Sequence, residues 1–166
     1  MIVGCAFGLL LLTVASGQAA EQARQDSTGK PLESFSKLVG GKWHLGDTYQ
    51  TFHWGVGRLS LRSLGFALVD GEPKLVSEGI WFWHPELNQI KGYFTAVDMP
   101  VEFFDYTTKF QGNRMTSELR AYTTSGSVDE YVETWEFTGP DSYEWTLSQP
   151  KPDGLTKIMG GTYTRE

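Results

Sequence analysis

The side chains in this sequence that could do chemistry are few and scattered: three histidines, a single cysteine, and charged groups set among apolar neighbours. His84 stands in Trp81-Phe82-Trp83-His84-Pro85, at the end of an aromatic run and just before a turn, where the mouth of a barrel is expected. Imidazole titrates near neutrality, so a histidine there could hold a ligand, carry a proton or simply cap the turn. His44 and His53 alternate with Trp43, Phe52 and Trp54, which sets both histidines on an outward face. Glu78 lies between Val76 and Ile80, Glu133 between Tyr131 and Trp135, Arg62 ahead of Leu64 and Phe66, and Arg120 between Glu118 and Tyr122. Burying such charges is costly unless they are paired and hydrogen-bonded. They therefore either cross-pair inside the fold around a polar ligand head or form ion pairs on an outer wall. Used as acid, base or charge clamp, Glu78, His84, Arg120 and Glu133 would serve a lyase or isomerase. No spacing matches a metal-binding loop, a phosphate-cradling glycine loop or a nucleophile elbow. No catalytic set, metal site or cofactor is expected.

The aromatic load discriminates better. Six tryptophans, seven tyrosines and ten phenylalanines in 166 residues exceed what a small domain needs merely to close its core. Trp54, Trp81, Trp83, Tyr93, Phe104 and Tyr106 cluster in the middle of the chain. Flat side chains with polar tips line pockets well, because they offer contact area at little entropic cost. With Glu78, His84, Arg120 and Glu133 they make the expected ligand-binding set, and the expected partner is a small apolar or amphipathic molecule. The competing expectation is a solid aromatic core with no room for one. A net charge of −6 without a lysine or arginine cluster argues against nucleic acid, which needs a basic face. One cysteine, Cys5, excludes a disulfide framework.

The elements that must position these groups are almost all strands. Pro31 to Val39 shows apolar residues at Leu32, Phe35, Leu38 and Val39, the pattern of a short helix stopped by Gly40-Gly41. Strands are expected at Lys42–Leu45, Tyr49–Trp54, Arg58–Val69, Lys74–Trp83, Gln89–Asp98, Val101–Gln111, Arg114–Thr124, Val128–Thr138, Ser142–Ser148 and Leu155–Thr164. Between them stand hairpin sequences such as Asp70-Gly71, Gly112-Asn113 and Ser125-Gly126. Tyr131, Trp135 and Phe137 alternate with Glu130, Thr134 and Glu136, and Tyr143, Trp145 and Leu147 alternate with Ser142, Glu144 and Thr146. One face of each of these strands is dry and the other wet. The fold class is therefore all-β: a closed antiparallel up-and-down barrel of about ten strands, with the short N-terminal helix plugging one end.

A short helix, then Gly41-Lys42-Trp43 entering a first strand and only meandering strands after it, resembles the opening of calycin barrels. Those include lipocalins, fatty-acid-binding proteins and nitrobindins. The close, Trp135-Glu136-Phe137-Thr138 through Tyr143-Glu144-Trp145 to Gly161-Thr162-Tyr163-Thr164-Arg165, is nearer to secreted bacterial nitrobindin-like barrels. The resemblance implies an interior pocket and carries no activity with it. Nitrobindin-type barrels hold haem through a late-strand histidine, and the closing stretch Leu155 to Tyr163 contains none. A haem-binding alternative would rest on His84 or Met159, and a strand methionine is more often a core filler.

The layout that follows is a signal peptide at 1–19, a flexible lead-in at 20–30 and one barrel domain at 31–166. Ile2 to Ala15 is apolar and uncharged, shorter than a membrane span of about 20 residues, and followed by small residues suited to cleavage. No lysine or arginine precedes the run, so an uncleaved anchor stays open. The expected location is secreted or periplasmic, without a stable transmembrane span once the signal is removed, and a homodimer is admitted.

Overall fold

The computed structural model describes residues 30–166. The expected signal at 1–19 and the lead-in up to residue 29 lie outside the described residues. Ten strands follow one another as an antiparallel meander: β1 (Trp43–Leu45), β2 (Thr48–Trp54), β3 (Ser60–Val69), β4 (Glu72–His84), β5 (Gln89–Ala96), β6 (Val101–Gln111), β7 (Arg114–Thr123), β8 (Val128–Gly139), β9 (Ser142–Lys151) and β10 (Gly154–Arg165). Each pairs with its sequence neighbours, and β10 returns to β1 with Trp43 opposite Arg165, closing the barrel. Closure leaves no free edge, which is how a small domain with so many strands avoids edge-to-edge association. The turns follow from residue type: Asp70 and Gly71 both take positive φ, 56° and 81°, which twists β3 into β4 as a two-residue hairpin requires.

The N-terminal segment corrects the expected helix. Glu33–Leu38 forms a six-residue 3-10 turn, and no α-helix plugs the barrel among the described residues. The segment is bounded by Pro31 and by Gly40-Gly41, too short a stretch to repay the nucleation of an α-helix. It still delivers Phe35 and Leu38 into the core, both fully buried. Phe35 lies 5.1 Å from the Trp81 ring and 4.9 Å from Phe110, and Trp43 Nε1 donates to the Leu38 carbonyl at 2.9 Å.

The interior is asymmetric. At the end where odd-numbered strands begin and even-numbered strands finish, Trp43, Phe52, Leu61, Met115, Phe137 and Tyr143 fill the barrel. Trp135 stacks on Tyr143 at 4.6 Å and Tyr143 on Tyr163 at 4.9 Å, so one row of rings crosses three strands. This closed end is the solid aromatic core. Charged pairs stay on the outer wall, as in Lys91–Asp105 at 2.6 Å and Arg114–Glu136 at 2.6 Å.

Candidate functional site

Towards the other end the packing stops, and the barrel holds a cavity of about 270 Å³. Alternation on each strand decides what lines it. Gln50, Ser63, Ser77 and Trp81 come from β2, β3 and β4, Phe94 and Ala96 from β5, and Phe104 and Tyr106 from β6. Leu119, Glu133, Trp135, Trp145, Leu147 and Met159 complete the wall from β7 to β10, with Met99 on the β5–β6 loop. The wall is mostly aromatic and aliphatic with a few convergent polar groups, the composition of a small-molecule site. Met99 and Met159 are about half exposed at its open side.

Glu133 is the charged group of this cavity. It is 7% exposed, and Trp145 Nε1 donates to its Oε1 at 2.6 Å. No lysine, arginine or histidine lines the cavity among the described residues. Burial pushes its carboxyl up to about 7, against the indole N–H groups of Trp145 and Trp135, which favour the ionised form. Trp135 Nε1 and the Tyr143 hydroxyl are buried without a hydrogen-bond partner among the described residues. Burial and the nearby Glu133 also hold the phenols up: Tyr163 at about 12, Tyr106 and Tyr143 well above the ordinary range. All three therefore stay protonated near neutral pH. Gln50 donates to the Tyr163 hydroxyl at 3.2 Å. Deeper in, Trp81 Nε1 donates to Thr108 Oγ1 at 3.2 Å, and Thr108 and Ser117 hydroxyls pair at 2.8 Å. That buried polar chain fixes the orientation of Trp81 at the cavity floor.

Of the ten expected site residues, the structure brings Trp81, Phe104, Tyr106 and Glu133 together in the cavity. The other six lie elsewhere. Trp54 and Trp83 stand at the closed end, beside Leu32, Arg58 and Leu59 in a separate surface cleft, with Arg58 4.5 Å over the Trp54 ring. Glu78, Tyr93 and Arg120 are on the outer wall and exposed, because their strands turn Gly79, Phe94 and Leu119 inward. Tyr93 stacks there on Phe103 at 5.0 Å, and Arg120 sits 5.5 Å over Tyr122. His84 is at the closed end rather than the mouth, and its Nδ1 accepts from the Leu87 backbone N–H at 3.3 Å, capping the turn. The lyase or isomerase constellation is thus dispersed, with Glu133 alone of its four groups inside. Of the two haem-ligand candidates, Met159 lines the cavity and His84 does not. His44 and His53 face outward as expected, His44 half-buried and His53 exposed.

Trp135, Trp145 and Leu147 were within reach of sequence reasoning, since they share strand parity with Glu133 or with one another. Phe94 was hidden by Gly79 and Gly92, whose missing side chains leave the space its ring and that of Trp81 occupy. No protein-family model and no curated protein matches the chain. The calycin likeness consequently rests on the closed ten-strand antiparallel barrel itself.

Proposed function

We propose that this barrel is a non-enzymatic binding protein, a carrier or sensor, for one small amphipathic molecule held in the interior cavity. The observation that carries the reading is Glu133: a buried carboxyl without a cationic partner among the described residues, set into a mostly apolar wall beside empty volume. A buried ionisable group that opposes folding is most economically explained by a task in the native state. The cavity of about 270 Å³ lies just under the usual small-molecule range of ~300–1,000 Å³. At ~30 Å³ per water it would take about nine waters, or a ligand of one substituted ring. Aromatic walls would bury the ligand's apolar body, and Glu133 with Gln50, Ser63 and Ser77 would meet its polar end.

The finer assignment belongs to the same proposal. A nitrobindin-like or lipocalin-like kinship is supported by Gly41-Lys42-Trp43 opening β1 and by the aromatic close of the chain. An extracytoplasmic location is supported by the apolar run at Ile2 to Ala15. Native mass spectrometry of the protein as isolated, followed by solvent extraction, tests the binding reading. A stoichiometric adduct of low mass that is lost on unfolding supports it. Protein of bare mass that also takes up no neutral apolar probe would overturn it.

A further inference from the structure

Resting on that binding reading, we propose that the ligand is a small amphipathic cation: an ammonium group on a short aromatic or aliphatic tail. The ammonium would sit against Glu133 and the tail among Trp81, Phe94 and Phe104. Four observations converge on this class. Glu133 is buried at the cavity wall and makes no ion pair among the described residues, so an incoming cation supplies the counter-charge the fold omits. Its Oε1 already accepts from Trp145, while Oε2 accepts no hydrogen bond among the described residues. The surrounding wall presents the rings of Trp81, Tyr106, Trp135 and Trp145, whose π faces attract cations and whose bulk excludes water. The chain's net charge of −6 favours approach of a cation over an anion.

The donors around Glu133 fit the same state. An ionised carboxylate accepts from Trp145, and the unpartnered N–H of Trp135 beside it favours that charge. An anionic ligand would meet like charge with no lysine or arginine on the wall to offset it. The titratable groups facing Glu133 are Tyr106 from β6, Tyr143 from β9 and Tyr163 from β10. All three keep their protons near neutrality, so Glu133 is the group whose charge changes there. Ammonium affinity therefore rises as pH increases through the titration of Glu133.

Isothermal titration of the full chain with 2-phenylethylamine, 2-phenylethanol and phenylacetate at about pH 8 and about pH 5.5 tests the proposal. The three share one tail and differ in charge. The amine is expected to bind at least about tenfold more tightly than the alcohol at the higher pH, with the advantage shrinking at the lower. Glu133→Gln is isosteric with the protonated acid that burial favours, so it should fold. It is expected to remove the amine's advantage over the alcohol. Equal binding of amine and alcohol, or tightest binding of phenylacetate, overturns the cation and leaves a binding protein. Failure of all three ligands overturns both readings.

Discussion

Trp145 and Glu133 meet diagonally across the β8–β9 pair, the indole N–H reaching Oε1 at 2.6 Å while Leu147 stands directly opposite Glu133. This contact holds the carboxylate at the cavity wall and partly offsets the cost of ionising it there. Trp145→Phe keeps the ring and removes the donor. Since the hydrogen bond favours the ionised form, the Glu133 carboxyl should titrate higher than its present value of about 7. A hydrogen bond to a charged group is worth ~1.5–3 kcal/mol, so an upward move of about one pH unit or more is expected. Carbon-detected NMR of the glutamate carboxyls across pH reads it directly.

Stability should carry the mark of the same group. In the folded chain Glu133 titrates near 7, against about 4.3 in an unfolded one. Between those values the folded state binds more protons, so Glu133 makes stability fall as pH rises through the window, adds nothing to the pH slope outside it, and leaves its full penalty in place above it. Glu133→Gln binds no proton in either state. It should match the wild type below about pH 4 and exceed it above about pH 8, by at most roughly 4 kcal/mol. Paired urea unfolding curves at several pH values check this, and a difference that stays flat with pH would show that the carboxyl is not held up by burial.

Trp43 is the keystone of the closed end. Its indole N–H bonds to Leu38, its ring touches Tyr143 at 5.0 Å, and Arg165 lies over it at 4.7 Å. Arg165 in turn donates to the Lys37 and Pro140 carbonyls and to Asp141, tying the 3-10 turn and the β8–β9 turn to the barrel seam. Gly41, at φ 70°, lets the chain pass close by: a side chain there would run into the Glu166 carbonyl and Arg165. Trp43→Ala should cost about 3–5 kcal/mol. Urea unfolding measures it, and a loss below about 1 kcal/mol would be the mark of an exposed residue instead. Binding at the cavity should weaken far less, since the cavity lies towards the opposite end.

The hydroxyl chain under the cavity makes a separate expectation. Thr108→Val conserves shape but strands the Trp81 N–H and leaves Ser117 without its partner. A loss of about 1–3 kcal/mol is expected in thermal or urea unfolding. The Trp81 ring should also lose its fixed orientation, seen as a change in near-ultraviolet circular dichroism.

The ten strands were legible because wet and dry residues alternate along them and because glycine and aspartate mark the turns. Alternation also placed Trp43 inside and His44 and His53 outside. It failed where a glycine occupied an inward position. In β5 the inward row Ile90, Gly92 and Phe94 stands against Gln89, Lys91 and Thr95, and Tyr93 misled by its large ring despite its polar row. In β4, Gly79 stood inward while Val76, Glu78 and Ile80 shared the outer row, so the carboxylate appeared to interrupt a core face. Depth along the barrel was not readable from parity either. Trp81 and Trp83 share a face, yet one floors the cavity and the other stands at the closed end, a distinction set by the stagger between strands. The short N-terminal pattern had helical spacing but too few residues for an α-helix, and tertiary burial of Phe35 and Leu38 holds it as a 3-10 turn.

Whether the interior cavity binds is most directly measured by isothermal titration of the full chain with the one-ring probe 2-phenylethanol, beside a variant in which Leu147→Trp fills the cavity from β9. The wild type should bind the probe saturably at one site per chain. The variant, shown to be folded by circular dichroism, should reduce that affinity at least about tenfold. Undiminished binding by the filled barrel would place the probe elsewhere and contradict the cavity as the binding site.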